Sequence, residues 1–399
     1  MSLIGQDVTV LGAGVAGLAV ARALALRGAQ VVVLEQADAI REVGAGLQVS
    51  PNGFAVLRAL GLGDALEAGS MRAVGVELRD GFTGNAVLRL DLAQQRPETQ
   101  AGQGYHFVHR ADLIDLLAAG AREAGVEIRL LNRVAEVDLS GARPVAVTDQ
   151  EAVKASLMIG ADGLQSVMRG ALNGRVAPFF THQVAWRAVI PCEPGAAAVA
   201  EVHMGPGRHL VSYPLRGGQW RNIVAVEERR AWVEEGWSLR DDPMAMRLAF
   251  QDFSPRVRGW LEQVEDVWLW GLFRHPVAKC WQRALPQGGV AILGDAAHPM
   301  LPFLAQGASM ALEDAFVLAD RLAGAESLAA GLALYQSARM ARASRVVAAA
   351  STNARAYHLR GLARGVAHAG LRLGSWAAPG LALRRFDWLY GLDVTEAKY

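Results

Sequence analysis

Val8-Thr9-Val10-Leu11-Gly12-Ala13-Gly14-Val15-Ala16-Gly17 begins as a short β-branched run and ends as a glycine-spaced loop; an Ala/Leu-rich stretch with helical spacing follows as far as Arg27-Gly28. A second apolar run, Val31-Val32-Val33-Leu34, stops at Glu35. Strand, Gly-x-Gly-x-x-Gly, helix, strand and acid, in that order, form a βαβ unit that cradles a dinucleotide. Gly12 permits the tight turn, Gly14 lets the backbone approach a pyrophosphate, and Gly17 lets helix and strand pack closely. The helix N-terminus around Ala16 offers unpaired N–H groups and the positive end of a dipole to phosphate oxygens. Glu35 accepts from a ribose diol and repels a 2′-phosphate, with Gln36 beside it at the same edge. FAD and NAD share this cradle, so the unit alone leaves the dinucleotide open.

The 399 residues have room for two domains, or for one large domain with an insertion. Forty basic against 39 acidic side chains leave a net charge of +1, so no global field holds nucleic acid or anionic lipid. That balance is a cancellation. Nine arginines lie between Arg339 and Arg385 with no Asp or Glu among them, whereas residues 1–338 carry 30 basic and 36 acidic groups. The Arg-rich segment is expected to pack on the acidic body of its own subunit or of a second one, in a monomer or homodimer. The other reading is peripheral attachment to anionic membrane through an apolar side of Leu359, Leu362, Val366, Leu371 and Leu373. Cys192 and Cys280 belong to no Cys-x-x-Cys or Cys/His cluster, so neither a disulfide framework nor a metal site is expected. No apolar stretch reaches the ~20 residues that span a bilayer. Met1 to Asp7 lacks the basic start of a signal peptide, and a mature N-terminus in the cytoplasm is the simplest expectation.

Two distant segments repeat one theme. Ser156-Leu157-Met158-Ile159-Gly160-Ala161-Asp162-Gly163 reads as a strand ending in an Asp-Gly turn, with Ser166 and Arg169 on a helix beyond. Gly289-Val290-Ala291-Ile292-Leu293-Gly294-Asp295 is again a buried strand running into a carboxylate; Pro299, the segment Pro302 to Ser309 and a helix carrying Glu313-Asp314 follow. Carboxylates on small-residue turns suit a hydroxyl-rich ligand. A helix starting near Gln306 aims its positive end at whatever lies beyond Pro302, such as the negative charge of a reduced flavin ring.

On these motifs and on His109-Arg110-Ala111-Asp112-Leu113, all in the same order and at about the same spacing, the chain resembles the group A FAD-dependent monooxygenases, the single-component aromatic hydroxylases. The resemblance implies an α/β architecture: a Rossmann-like, glutathione-reductase-like FAD-binding domain, an inserted, mostly antiparallel β-sheet substrate domain and a C-terminal helical region. The expected division is 1–73, 101–178 and 274–338 for FAD, 74–100 and 179–273 for substrate, and 339–399 for the helical region. It further implies that Asp295 contacts the flavin ribitol, that Asp162 serves pyrophosphate and nicotinamide coenzyme binding, and that Arg110 and Arg41 lie by the FAD. With no second Gly-x-Gly-x-x-Gly, NADH or NADPH would act as a transient co-substrate.

Glu42 to Gly53, with Gly46 and Gln48, and Ala305-Gln306-Gly307-Ala308 resemble the branch that contains salicylate hydroxylase, 3-hydroxybenzoate 6-hydroxylase and 6-hydroxynicotinate 3-monooxygenase. Gln48, Gly307 and Ala308 are thereby expected at the flavin, and Gly46, Pro299 and Pro302 at the substrate. In His209-Leu210-Val211-Ser212-Tyr213-Pro214, period-two alternation puts His209, Val211 and Tyr213 on one strand face. By resemblance His209 and Tyr213 are catalytic, with His209 helping to ionise a substrate phenol. Pro302 departs from the hydroxybenzoate pattern, which has a glutamine there. Trp186, Arg187 and Arg216 are candidate partners for a substrate carboxylate, with surface salt bridging as the alternative. The implied reaction is NAD(P)H- and O₂-consuming hydroxylation of a small aromatic, phenolic-acid-like substrate through a flavin C4a-hydroperoxide. The alternatives are hydroxylation of a lipophilic quinone precursor, or NAD(P)H oxidation without hydroxylation.

Overall fold

Val8, Val10 and Leu11 leave solvent because their strand, Asp7–Leu11, is inserted between two others. A computed structural model describes residues 2–40, 45–92, 104–233, 239–377 and 384–396. In it, six strands run in the order Gln282–Leu285, Gly288–Ile292, Leu157–Gly160, Asp7–Leu11, Gln30–Leu34 and Glu127–Arg129. All neighbours are parallel except the first two. Leu157–Gly160 and Gly288–Ile292 are buried at every position, covered on both faces, which is why they read as unbroken apolar runs. The register pairs Leu11 with Gly160 and Gly160 with Ile292, so the turns at Gly12, Ala161 and Leu293 emerge side by side at one carboxyl edge. Ligands of open α/β sheets bind at such an edge.

A second sheet of eight strands runs Arg240–Asp241, Val267–Arg274, Phe179–Pro191, Trp220–Glu228, Arg208–Leu215, Val199–Gly205, Gly75–Asp80 and Ala86–Asp91. It is antiparallel except where Val199–Gly205 lies parallel to Gly75–Asp80. One face carries Trp186, Leu210 and Ile223 against Met246, Val257 and Trp260 of two short helices. The opposite face follows from register: Ala185, Val226 and His209 lie in one row, Arg187, Val224 and Val211 in the next. Leu301 and Phe303, from the loop beyond the first sheet, pack on it.

A small third sheet joins Gly46–Val49, His106–His109 and Met71–Arg72. His106 stacks on Phe54 at 4.7 Å and places Nδ1 2.8 Å from Ser70 Oγ. Burial, with Arg72 adding to it, pushes its pKa down to about 4. The unfolded chain binds this proton near pH 6.5 and the folded chain does not, so the contribution is full above about pH 6.5 and fades as pH falls toward 4. Over that window wild type is expected to lose about 3 kcal/mol more stability than His106→Phe. Urea unfolding at pH 7 and near pH 4 checks this; parallel losses in both proteins would refute it.

One 30-residue helix, Leu328–Tyr357, runs unbroken through the boundary expected at 338/339. Charge composition changes there but the backbone does not, because Leu332, Tyr335, Arg339, Ala343 and Val346 form one continuous buried stripe. Several of the arginines engage this subunit's own groups: Arg339 and Arg342 pair with Glu313, Arg360 with Glu228, Arg364 with Asp80, and Arg345 stacks over Trp388. The expected apolar side of the next helix, Gly361–Ala377, divides in two. Leu371 packs inward beside Leu359 around a cavity of about 350 Å³, whereas Leu362, Val366 and Leu373 point outward with Trp376. Residues 362, 366, 373 and 376 fall on one side of a 3.6-residue helix and 371 on the other. No described helix is long and apolar enough to cross a membrane.

Candidate active site

The glycines of the opening loop act through sterics. Gly12 has φ +98°, and a Cβ there would lie 2.7 Å from the Ala161 carbonyl oxygen. A Cβ on Gly17 would lie 1.9 Å from the Gly12 carbonyl oxygen, so helix Val15–Ala25 can sit this close only with glycine. Gly14, the N-cap, has nothing within 4 Å of its Cβ position, and no side chain caps the helix. The first-turn N–H groups therefore face open space. Ala16 packs against Gly294, whose φ is +59°. Glu35 accepts from the backbone N–H groups of Ala13 (2.8 Å) and Ala37 (2.9 Å). A carboxylate has about four acceptor positions, so a diol still finds room. Gln36 is exposed just beyond, and Arg41 lies outside the described residues.

Asp295 stands just past the carboxyl edge of the first sheet, in the turn after Leu293, with its side chain exposed. Desolvation by the surrounding protein raises its pKa, opposed by the nearby His298, Arg110 and His275. It makes no hydrogen bond among the described residues. Its cationic neighbour Arg110 opens helix Arg110–Glu123 and is itself lowered by burial. Asp162, the expected coenzyme contact, is engaged within its own turn. Its carboxylate accepts from Ser166 Oγ (2.5 Å), Val167 N (2.7 Å) and Met168 N (3.2 Å), completing the start of helix Val167–Asn173. An Asp-Gly turn leading into a helix satisfies that helix's own orphan donors first. Arg169 then ties this helix to the Asp295 turn through the carbonyl of Ala296 (3.2 Å), and to the loop after Val267–Arg274 through the carbonyl of Pro276.

Beyond Asp295, Pro299 is buried, while Pro302 is exposed and opens a short 3₁₀ turn, Pro302–Leu304. Ala305 then adopts φ +51°, a conformation that costs a non-glycine residue of order 1–3 kcal/mol. Gln306 is the N-cap of helix Gly307–Gly324 and donates to Ser50 Oγ at 2.9 Å. Gly307 and Ala308 begin that helix without a side-chain cap, leaving their N–H groups available to negative charge. Below lies a cluster that the sequence did not announce: Glu313, Asp314 and Arg339 are all fully buried. Arg339 pairs with Glu313 (2.6 Å) and Asp314 (2.7 Å); Arg342 and Asn52 also hold Glu313; Asp314 accepts from Gly294 N and sits 2.5 Å from His298 Nε2.

On the facing sheet, Gly46 donates its N–H to Asn222 Oδ1 (2.7 Å), and a Cβ on it would land 2.6 Å from the Tyr213 ring. Gln48 accepts from Tyr105 (2.6 Å) and also hydrogen-bonds Tyr213. Gln48, expected at the flavin, thus braces two phenols. Burial drives the Tyr213 phenol well above its ordinary pKa, so it stays protonated and serves as a donor. Val211 is half-buried in the same strand. His209 Nδ1 lies 2.7 Å from His358 Nε2, between the rings of Phe303 and Tyr357. Burial and His358 keep His209 well below pKa 6.5, hence neutral at pH 7.

The three candidate carboxylate partners separate. Trp186 turns to the other face and donates to Asp241 (2.7 Å); Arg216 forms a surface pair with Asp112 (2.5 Å). Arg187 alone lies on the cleft face, its guanidinium 4.1 Å from the centre of Trp270. Burial and Arg110 lower it to about 9, opposed by Tyr213, and it remains a cation at neutral pH. The cleft thus combines a glycine cradle a Cβ would fill, an open helix N-terminus, unbonded Asp295 and a cation, the donor set that suits FAD. No group of three or more potential metal ligands occurs among the described residues.

A family model described as FAD binding domain matches residues 6–350. The chain is 34% identical over 397 residues to 3-hydroxybenzoate 6-hydroxylase of Polaromonas naphthalenivorans, covering 97% of this chain and 96% of that protein. It is 37% identical over 367 residues to 3-amino-4-hydroxybenzoate 2-monooxygenase of Streptomyces cremeus, covering 88% of each. Among solved structures, Klebsiella pneumoniae HpxO complexed with FAD and uric acid superposes with a TM-score of 0.81 over 94% of this chain and 95% of that one. At 22% identity that likeness speaks for the fold.

Proposed function

The chain belongs to the FAD binding domain family, as an FAD-dependent monooxygenase that consumes NAD(P)H, and from that premise we propose that its substrate is a small aromatic acid bearing a phenol. Gly12, Gly14, Ala16 and Gly17 would hold the pyrophosphate, Glu35 the ribose, Asp295 and Arg110 the hydroxylated chain, and the N–H groups of Gly307 and Ala308 the ring's negative charge. Bound FAD supplies the redox chemistry with NAD(P)H and O₂ that side chains cannot perform. The protein's own part is positioning, exclusion of water and ionisation of the phenol.

One observation carries the substrate class: a cation and a neutral imidazole share one face of the second sheet. Arg187 and His209 lie in adjacent rows, with Val211, Val224 and Val226 as apolar wall between them. A flat ring anchored by its carboxylate at Arg187 presents its hydroxyl toward His209, with Tyr213 as donor and Gly46, Pro299, Pro302 and Phe303 on the opposite side. Arg187→Met is expected to raise KM for such an acid about 10- to 100-fold, the worth of one charge-assisted bond, and to leave the matching phenol without a carboxylate nearly unchanged. Steady-state NAD(P)H oxidation with paired acids and phenols measures this. Equal effects on both would remove the carboxylate clamp. NAD(P)H converted to peroxide at one rate whatever compound is added would remove hydroxylation itself.

A further inference from the structure

We propose that His358 and Glu228 are positioning residues that hold His209 in the one tautomer able to act as a base and carry the phenol proton from the buried sheet face to the surface. The proposal rests on His209 as the group that ionises the substrate. Three side chains from three distant parts of the chain form one line. His209 Nδ1 is 2.7 Å from His358 Nε2, and His358 Nδ1 is 3.1 Å from Glu228 Oε1. Glu228 Oε2 in turn meets Arg360 at 2.5 Å. Exposure rises along the line: His209 1%, His358 5%, the Glu228 side chain 39% and Arg360 67%.

The chemistry of the donors fixes the protons. An ionised carboxylate only accepts, so His358 Nδ1 must donate to Glu228. His358 is then the tautomer whose Nε2 accepts, and His209 Nδ1 must donate to it. His209 Nε2 is therefore left with its lone pair, the atom that takes a proton. Without the carboxylate, either ring could turn its N–H the other way. The other groups around the line do not compete. Tyr357, beside His209, is held neutral by burial, at about 12. Phe303 carries no charge, and Arg360 pairs with Glu228 from the solvent side. Burial lowers both imidazoles below their ordinary pKa, so each rests neutral.

Transfer is then a concerted shift. The phenol O–H breaks as an N–H forms at His209 Nε2; the Nδ1 proton passes to His358 Nε2; the His358 Nδ1 proton passes to Glu228, which releases it to water. The substrate is left as phenolate, electron-rich for hydroxylation. The reverse shift when the product phenol reforms restores both tautomers.

Oxidised holoenzyme tests this with two readouts. In ¹⁵N-histidine NMR, wild-type His209 is expected as the pure Nδ1–H tautomer, and Glu228→Leu as a mixture. With 3-hydroxybenzoate as probe, the pH at which the bound phenol ionises, read from ultraviolet difference absorbance, is expected to rise by about one unit in Glu228→Leu and His358→Phe, a tenfold loss. Flavin content and unfolding midpoint of the half-exposed Glu228→Leu variant serve as the folding control. Wild type that does not ionise the bound probe would overturn the base role of His209. Wild type that ionises it, with both variants giving the same profile and the same His209 tautomer, would overturn the relay alone.

Discussion

Arg339→Met is expected to destabilise the protein by about 3–5 kcal/mol, the cost of leaving buried charge uncompensated. Glu313, Asp314 and Arg339 have no exposed surface, and Arg339 bridges both carboxylates. Asp314 stays ionised, held down to about 2 by His298 and Arg339 against the opposing effect of burial. Removing Arg339 leaves Arg342 as the one arginine on Glu313 and His298 as the one ring on Asp314. The damage also travels. Asp314 accepts from the Gly294 N–H and holds His298, and these bracket Asp295. Flavin content is therefore expected to fall together with stability. Unfolding followed in excess FAD checks the first effect and absorbance at the flavin band the second; a midpoint within about a degree of wild type would show that the cluster is dispensable.

Gly17→Val is expected to give colourless protein, with FAD affinity lowered about 100-fold or more, as two charge-assisted phosphate bonds are misplaced. The 1.9 Å approach to the Gly12 carbonyl leaves no rotamer that escapes, because the obstacle is backbone. Helix Val15–Ala25 must move away from the turn, and its N–H groups move with it. Gly14→Ala is the informative control. Its methyl meets nothing within 4 Å in the protein, so folding should be unaffected while phosphate approach is obstructed. Flavin titration and apoprotein melting separate the two. If Gly17→Val retained FAD like wild type, the cradle would not be the site.

What the sequence could show depended on how local the cause was. Gly12, Gly14 and Gly17 act within one turn, and their spacing already carries the sterics seen in the structure. Asp295 follows from a strand that ends in a small-residue turn. Asp162 reads the same way, but nothing in Asp-Gly shows that its carboxylate also completes the start of its own helix. Period-two alternation correctly grouped His209, Val211 and Tyr213, yet it could not rank Trp186, Arg187 and Arg216, because their fates depend on which strand lies opposite. Trp270 reaches Arg187 only through the pairing of Phe179–Pro191 with Val267–Arg274. His358 and Glu228 lie 149 and 130 residues from the histidines they touch, and no local pattern marks them. The nine arginines were visible as a charge run. That Arg339 belongs to a buried cluster shows only in the inward stripe of its helix.

The order of strands in the two sheets also governs how the chain can be made. Asp7–Leu11 leaves the ribosome long before its neighbour Leu157–Gly160, which comes some 150 residues later, and Gly288–Ile292 is later still. Gly75–Asp80 likewise waits for Val199–Gly205, its parallel partner. Neither sheet can close early in synthesis: the second waits for Val267–Arg274 and the first for Gly288–Ile292. High-contact-order pairing of this kind folds slowly and leaves apolar strand edges exposed while it waits. Nascent chains truncated before residue 288 are therefore expected to bind chaperones or aggregate, which pull-down of stalled chains would show.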